Sequence, residues 1–321
     1  MTRLLLPWLW LWVALPAGAV VIDRPDGSAN TSAPGNDPGF AHVANVQGLS
    51  GVYLGNGWIL TAAHVATGPA EIGGLLYPAV DGTRVQLQPE GAATLPPDLA
   101  LWRLAKPWPE LPALAIRKAP LAGGEAVVMI GNGADRTGTT TWIPPTPPPI
   151  PIPGYTWGGS HHVRWGTNAV DGFPEDLFPD PFVYVPLTNT QTHAFYSRFD
   201  CTCTASGGDE AMVANGDSGG AVFIETGGEW RLAGILFAAS LFQDQPYDRV
   251  LQGNLAWAAD LRVYRDQILA WTAPPIPALP GWGSAGLAGA LAAAAGLARP
   301  GRPAGPGGRV RKRPAPVGDP R

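Results

Sequence analysis

Cysteine is almost absent from this 321-residue chain, in which only Cys201 and Cys203 occur, one residue apart. A bridge between them would close a very small, strained ring and would constrain the unfolded chain little. Three states stay open for the pair: a disulfide, a redox-labile site or two ordinary buried thiols. In each of them the fold is not held together by disulfides.

Charged residues are also scarce, at 14% of the sequence, whereas glycine (42 residues) and proline (36 residues) are abundant. This composition favours a loop-rich β protein over a helical bundle. The formal net charge of -4 is unevenly distributed, because residues 20–298 hold 13 basic and 24 acidic side chains and residues 299–321 are basic. An acidic body repels phosphate backbones, so a nucleic-acid partner is not expected.

The first twenty residues, MTRLLLPWLWLWVALPAGAV, contain Arg3, an uncharged apolar run and the small residues Ala17-Gly18-Ala19. This order is typical of a secretory signal peptide, which we assign to residues 1–19. The alternative is an uncleaved N-terminal anchor, which is disfavoured because the apolar run is short for a membrane span. The sequence therefore predicts export, to the periplasm, the cell envelope or the medium.

The C-terminal part divides into a proline-rich linker (274–281), an uncharged segment (282–298) and the basic tail (299–321). Seventeen uncharged residues followed by Arg and Lys fit a short membrane span with its basic flank inside. The alternative is a disordered low-complexity tail. IPALPGW (276–282) with the segments behind it resembles bacterial C-terminal sorting signals, which implies retention at the envelope or removal of the tail. No oligomeric state is predicted.

Between these ends the pattern is mainly that of short strands. Asn56-Gly57 lies between apolar residues and is a strong hairpin signal. Further strand-like runs lie at 99–104, 125–131 and 221–239, the last of them interrupted by Thr226-Gly227-Gly228-Glu229. Residues 260–273 have a helical period that places four apolar side chains on one face: Leu261, Tyr264, Ile268 and Trp271. We expect an all-β barrel or sandwich with a terminal helix.

The middle of the chain breaks this rhythm. Residues 144–153 read PPTPPPIPIP, which cannot donate hydrogen bonds to a sheet, and they open a loop-like insertion reaching to about residue 200. A metal or sugar site there would rest on composition alone, and packing is the simpler role for its aromatic side chains: Trp157, His161, His162 and Trp165. No metal or cofactor is expected.

Candidate chemistry centres on Ser218 in MVANGDSGGAVF. A serine hydroxyl needs a base and a carboxylate that orients the base. Of only five histidines, His64 ends an apolar strand in WILTAAHVA, and Asp98 precedes another strand in PPDLALWRL. Without a catalytic role, His64 would be an ordinary partly buried imidazole, and Asp98 would be an exposed acid in a turn. Glycines around Ser218 allow a sharp turn in which the Gly216 and Ser218 amides converge on one oxyanion.

TAAHV, DLALWRL and GDSGGAVF, in that order, resemble the three signature blocks of the trypsin/chymotrypsin-like serine peptidases, over about residues 40–272. The resemblance implies two six-stranded antiparallel barrels, a C-terminal helix and a site between the barrels. It also implies His64 as general base, Asp98 as orienting carboxylate and Ser218 as nucleophile. The Gly216 and Ser218 amides would form the oxyanion hole.

Several positions depart from that family. Val65 replaces its usual cysteine, and its Arg-Ile-Val-Gly-Gly activation site is missing. In trypsin-like zymogens a freed N-terminus pairs with the aspartate before the nucleophile, and Asp217 has no evident partner of this kind. Its Ser-Trp-Gly substrate-binding strand reads Phe237-Ala238-Ala239 here.

The resemblance implies that primary specificity depends on the residue six positions before the nucleophile, which is Met212 here. Met212 with Phe237 nearby suggests a medium-sized apolar side chain rather than Arg or Lys. A shifted loop could instead supply the acids Asp209 and Glu210 to the pocket.

The leading hypothesis is an exported serine endopeptidase with its peptidase domain at residues 20–273, acting on extended polypeptides through an acyl-enzyme. The alternative is a catalytically inactive protease-fold binding protein at the cell envelope.

Overall fold

The computed structural model describes residues 12–13, 18–145, 149–201 and 208–273. These residues form an antiparallel β structure with an α-helix, α1, at Leu261–Thr272 and 3-10 turns at Phe40–His42 and Pro174–Asp176. The strands are β1 Trp12–Val13, β2 Gly18–Ile22, β3 Val43–Val46, β4 Leu49–Gly55, β5 Trp58–Thr61, β6 Ala70–Ile72, β7 Leu75–Tyr77, β8 Val85–Gln86, β9 Ala100–Arg103, β10 Ala126–Trp142, β11 Ile152–Ala169, β12 Val183–Val185, β13 Thr190–Thr192, β14 Ala194–Arg198, β15 Ala211–Ala214, β16 Ala221–Thr226, β17 Glu229–Ser240, β18 Arg249–Leu251 and β19 Leu255–Asp260.

The strands form two large sheets. The N-terminal sheet has the order β7-β6-β3-β4-β5-β9-β8, and the C-terminal sheet has the order β14-β19-β17-β16-β10-β11-β18, with β1 also paired to β17. Each sheet curls into a barrel-like half, which confirms the expected fold class. The sheets have seven and eight strands instead of six, since short strands such as β7 and β18 are added at their edges.

Local turn chemistry sets the register of the best-predicted hairpins. Asn56 and Gly57 both have positive φ (54° and 80°), as a two-residue hairpin turn requires, and they join β4 to β5. Gly227 and Gly228 (63° and 81°) do the same between β16 and β17. Both predicted hairpins are confirmed.

The terminal helix is confirmed, with a correction at one position. The Asp260 side chain accepts from the Arg262 N–H and caps the helix start. Leu261, Tyr264 and Ile268 are fully buried as expected. Trp271 is 49% exposed instead, because the helix ends beside it at Thr272 and its ring only flanks Trp58, at a centroid distance of 6.3 Å.

The expectation of a loop-like stretch to residue 200 is wrong for about half of its length, which forms strands β11 to β14. Residues 152–169 form β11, which pairs with β10 along a long hairpin. Two register shifts, between Ala134 and Arg136 and between Arg136 and Gly138, let the hairpin bend while it stays paired. All but one of the prolines of this run precede β11, and Pro153, the second residue of the strand, lies opposite Thr141 of β10.

Cys201 is buried and disulfide-bonded, which was one of the three states left open. No helix among the described residues is long and apolar enough to cross a membrane. The linker, the predicted span at 282–298 and the basic tail all lie outside the described residues.

Candidate active site

Two neighbouring strands bring His64 and Asp98 together. β5 and β9 are antiparallel, with Thr61 at the end of β5 opposite Ala100 at the start of β9. The residues that follow β5 and those that precede β9 therefore meet at one edge of the N-terminal sheet. Asp98 is completely buried there, and the His64 side chain is 14% exposed.

Ser218 comes from the other sheet. It is fully buried in the turn between β15 and β16, residues 215–220, which we call the nucleophile turn. Its Oγ lies 2.7 Å from His64 Nε2, and His64 Nδ1 lies 2.7 Å from Asp98 Oδ2. The three residues predicted from the sequence are thus brought into one hydrogen-bonded chain.

Asp98 holds His64 in two places. Its Oδ1 accepts the His64 backbone N–H at 2.9 Å while its Oδ2 faces the ring nitrogen Nδ1. An ionised carboxylate can only accept, so Nδ1 carries the proton and Nε2 keeps a lone pair for the Ser218 hydroxyl. Asp98 is held in turn by its own N–H, which donates to Thr192 Oγ1 at 2.9 Å.

The shape of the nucleophile turn depends on glycine at position 216. Gly216 has φ of +105°, and a Cβ there would lie 2.7 Å from the Gly48 carbonyl oxygen and 2.9 Å from the Asn132 carbonyl oxygen. The preceding peptide is held by its Asn215 carbonyl, which accepts the Ala134 N–H at 2.8 Å. Because a trans peptide points its N–H opposite its carbonyl, the Gly216 N–H points away from Ala134.

Ser50 ties the two sheets together behind the nucleophile turn. Its N–H donates to the Ser218 carbonyl at 2.9 Å, and its Oγ donates to the Gly216 carbonyl at 2.7 Å. The same Oγ accepts the Asn132 N–H at 2.8 Å, so β4, β10 and the turn meet at one buried hydroxyl. Sequence reasoning missed Ser50, since nothing in the strand LSGVYLG distinguishes it from an ordinary buried serine.

Asp217, for which the sequence offered no evident partner, accepts backbone N–H groups in the structure. Its carboxylate is fully buried and accepts the Ala214 N–H at 3.0 Å, and the backbone N–H of Val20 also hydrogen-bonds to it. Burial raises the pKa of this carboxyl well above its usual value, against the pull of those N–H groups and of Arg164. The Ala214 N–H reaches Oδ2, and among the described residues Asp217 Oδ1 has no hydrogen-bond partner.

Val20 reaches Asp217 because β2 pairs with β15, with Val21 opposite Met212. Val20, Val21 and Ile22 are at most 1% exposed. The predicted signal peptide ends at Ala19, so the sequence did predict that the peptidase domain begins at Val20. What it lacked was any local sign that β2 and β15, nearly two hundred residues apart, form a pair.

The residues predicted to bind substrate lie on β15 and β17. Met212 has no exposed surface and belongs to the core cluster of the C-terminal half, and Phe237 is 1% exposed. Ala238 and Ala239 follow on β17, paired with Trp257 and Ala256 of β19. The structure therefore places Met212 and Phe237 in the core.

The other edge of β17 pairs with a short segment of the N-terminus. Trp12 lies opposite Ser240 and Val13 lies opposite Ala239, in antiparallel register. This edge, at the end of β17 beyond its pairing with β16, thus hydrogen-bonds to an extended backbone.

The acidic pair upstream of Met212 is engaged elsewhere. Asp209 Oδ1 lies 3.2 Å from Arg24 and accepts the Asn30 side-chain amide at 2.9 Å, so it anchors the N-terminal arm. The Glu210 carboxylate accepts the Asp200 N–H, and burial raises its pKa to about 7.

The histidines and tryptophans of the middle region have packing contacts. His162 Nδ1 lies 2.7 Å from Asp135 Oδ2, and Trp165 Nε1 donates to the Ser32 carbonyl at 2.9 Å. Trp157 packs edge-on against Tyr247 with a centroid distance of 5.0 Å. His161 contacts the Asn132 carbonyl at 3.4 Å.

Solved structures with similar folds include kallikrein-related peptidase 10, at 16% identity and a TM-score of 0.39, covering 70% of this chain and 89% of that one. The active form of the Rv3671c protease of M. tuberculosis matches at 15% identity and a TM-score of 0.34, covering 72% and 76%. A mutant of human heparin binding protein matches at 16% identity and a TM-score of 0.45, covering 82% and 100%. No match to a curated protein sequence was found.

The family of trypsin-like peptidase domains matches residues 49–235, more than half of the chain. The matched range begins on β4 and ends within β17, and it contains His64, Asp98 and Ser218. The chain therefore belongs to the trypsin-like peptidase family.

Proposed function

We propose that this protein is an exported serine endopeptidase that hydrolyses peptide bonds through an acyl-enzyme. The observation that carries the proposal is the continuous hydrogen-bonded chain from Asp98 through His64 to Ser218, with 2.7 Å at each step between side chains. Two of these residues come from one sheet and the third from the other, so ordinary packing within one sheet does not account for their meeting.

Each residue has a distinct step in the proposed reaction. Ser218 Oγ attacks the carbonyl carbon of the substrate while His64 Nε2 takes its proton, and Asp98 stabilises the imidazolium that forms. His64 then gives the proton to the leaving amine, and the acyl group stays on Oγ. Water, deprotonated by His64, hydrolyses the ester and releases Ser218.

The remaining parts bind the substrate and its developing charge. We assign the oxyanion hole to the backbone amides of Gly216 and Ser218, since the positive φ of Gly216 sets the turn that would bring them together. We assign the substrate backbone to the edge of β17 that lies beyond its pairing with β16. There Ala239 and Ser240 already pair with another extended segment, Trp12–Val13. Extended polypeptides fit such an edge by backbone hydrogen bonding.

The direct test is covalent labelling by a fluorophosphonate. We expect the protein to be labelled at Ser218, as read by mass spectrometry of the modified peptide, and Ser218→Ala to abolish labelling. Ser197→Ala is the matched control, since Ser197 is also buried in the C-terminal half and should be replaceable without loss of labelling. A folded exported form that stays unlabelled would overturn the proposal and favour the binding-protein alternative.

Primary specificity is expected to exclude basic residues. Met212 at the position implied by the resemblance is apolar and buried, and Asp209 is already paired with Arg24, so no free carboxylate is assigned to the pocket. Cleavage of a peptide library should therefore show little enrichment of Arg or Lys before the scissile bond. Strong enrichment of either residue there would contradict this assignment.

We further propose that export itself completes the site. Cleavage after Ala19 would leave Val20 as the N-terminus, and its new ammonium group would lie where the Val20 N–H now faces the Asp217 carboxylate. The same cut would remove Trp12–Val13 from the edge of β17. The buried carboxylate next to Ser218 would then gain a partner of opposite charge.

A further inference from the structure

The segment that carries His64 has little regular structure of its own. Between β5 and β6, residues 62–69 belong to no strand, and we call them the His64 segment. Within the described residues, the segment has one internal backbone hydrogen bond, which the Val65 N–H donates to the Ala62 carbonyl at 3.0 Å. Asp98 fixes the His64 N–H and ring, but the carbonyls on either side need another partner.

Arg84 supplies that partner from outside the sheet. Its Nη2 donates to the Ala63 carbonyl, and its Nη1 donates to the Val65 carbonyl at 3.0 Å and to Thr67 Oγ1 at 3.1 Å. Two of these acceptors belong to the residues immediately before and after His64. The planar guanidinium presents its donors in a fixed fork, so the three bonds together restrict both position and rotation of the segment.

Within the described residues, the Arg84 side chain makes these three hydrogen bonds and no others. Arg84 precedes β8 and forms no ion pair with any residue in the described ranges. It is partly desolvated, which lowers the pKa of its guanidinium, and the charge of Asp98 opposes that shift. A cation that binds the carbonyls before and after His64, while Asp98 binds the His64 N–H and ring, is placed to hold the segment in position.

We infer that Arg84 is a positioning residue, which clamps the carbonyls on both sides of His64 and keeps Nε2 within reach of Ser218. The inference rests on the proposed function and adds a residue that lies outside all three signature blocks. A displacement of about 1 Å in a catalytic group can cost roughly 100-fold in rate. Loss of the clamp should therefore lower the rate of acylation without weakening the initial binding of a substrate or probe.

The test is the kinetics of fluorophosphonate labelling in Arg84→Ala and Arg84→Lys. We expect Arg84→Ala to lower the maximal labelling rate by about 10- to 100-fold, with the concentration for half-maximal rate unchanged. Arg84→Lys should recover little, because one ammonium cannot reproduce a fork that binds three oxygens. Guanidinium ion at a non-denaturing concentration should restore part of the rate in Arg84→Ala and none in Arg84→Lys.

Arg103→Ala is the matched control. Arg103 lies on β9 of the same sheet and covers Trp58 and Trp108, at 5.5 and 5.3 Å from the ring centroids, without contacting the His64 segment. It should lower the unfolding midpoint at least as much as Arg84→Ala and leave the labelling rate within about twofold.

Four outcomes would overturn the inference while leaving the proposed function intact, provided that the unsubstituted protein is labelled. Labelling of Arg84→Ala at the original rate would show that the clamp is dispensable. An equal loss in Arg103→Ala would assign the effect to general destabilisation. A change confined to the half-maximal concentration would make Arg84 a substrate contact. If the pH profile of the labelling rate in Arg84→Ala were shifted along the pH axis while its maximal rate stayed unchanged, Arg84 would act through its charge and not by positioning His64.

Discussion

Replacing Asp98 with asparagine is expected to lower the rate of Ser218 acylation by about 10⁴-fold, the size of effect known for the orienting carboxylate of a Ser-His-Asp triad. The reason lies in the two contacts that Asp98 makes with His64. The backbone N–H of His64 can only donate, so the carbonyl oxygen of an asparagine would face it. The amide nitrogen would then face Nδ1, where it needs an acceptor.

That arrangement forces the wrong tautomer. With Nδ1 accepting, the imidazole proton moves to Nε2, and the nitrogen 2.7 Å from Ser218 Oγ has no lone pair for the hydroxyl proton. The substitution keeps the size of the side chain and both hydrogen bonds, so the fold should be retained. Labelling rates and circular dichroism spectra measured on the same Asp98→Asn sample would distinguish a loss of reactivity from a loss of folded protein.

Asp81→Asn is the control for this substitution. Asp81 lies in the exposed turn with Gly82, so the same chemical change there should leave the labelling rate unaltered. A loss of less than tenfold in folded Asp98→Asn would contradict the assigned role of Asp98.

The second large effect is expected at the N-terminus. A chain that begins at Val20 should acylate about 100-fold or more faster than one in which extra residues precede Val20, the size of effect found when an oxyanion-hole donor is lost. Burying a lone charge costs several kcal/mol, and Asp217 is buried one residue before the nucleophile. An ammonium group at Val20 would let this carboxylate ionise in place and hold the turn, whereas a peptide N–H would not.

The pH dependence gives an independent reading of the same contact. An α-amino group has an ordinary pKa of about 7.7–8.0, and a buried carboxylate partner raises that pKa. The stabilisation by the pair of ammonium and carboxylate is therefore complete when the pH is below the ordinary pKa of the amino group. It is lost as the pH rises through the raised pKa. Labelling of the chain that begins at Val20 should fall at alkaline pH, and labelling of the extended chain should lack this additional fall.

Asp217→Asn completes the comparison. A neutral side chain has no charge to pair, so the difference between the two chain starts should shrink to within a few fold. Equal rates for the two starts with Asp217 in place would refute the activation route, although Ser218 would still be labelled in both.

Much of the site was predictable because its signals are local. The Asn56-Gly57 and Gly227-Gly228 turns are written in residues that tolerate positive φ, and the structure has both hairpins. His64 and Asp98 each adjoin a strand, so antiparallel pairing of β5 with β9 was enough to bring them together.

Other features could not be predicted, because they depend on pairings between distant segments. β2 pairs with β15, although all strands of the N-terminal sheet come between these two strands in the sequence. Only that pairing reveals Val20 as the neighbour of Asp217. The hairpin of β10 and β11 was hidden by the proline run, which lies in the connection between the two strands except for Pro153 at the start of β11. Arg84 has no recognisable sequence pattern, since two of its three partners are backbone carbonyls that any residue could supply.

The division of the site between two sheets also sets a schedule during synthesis. The strands that flank His64 and Asp98 are complete by residue 103, but Ser218 comes 120 residues after Asp98, and its turn needs β16 and β17 to hold it. The emerging chain thus carries a base with nothing to activate until most of its own length is complete. Under the proposed function, the incomplete chain has no serine to acylate, so peptide-bond hydrolysis cannot begin before the second sheet has formed.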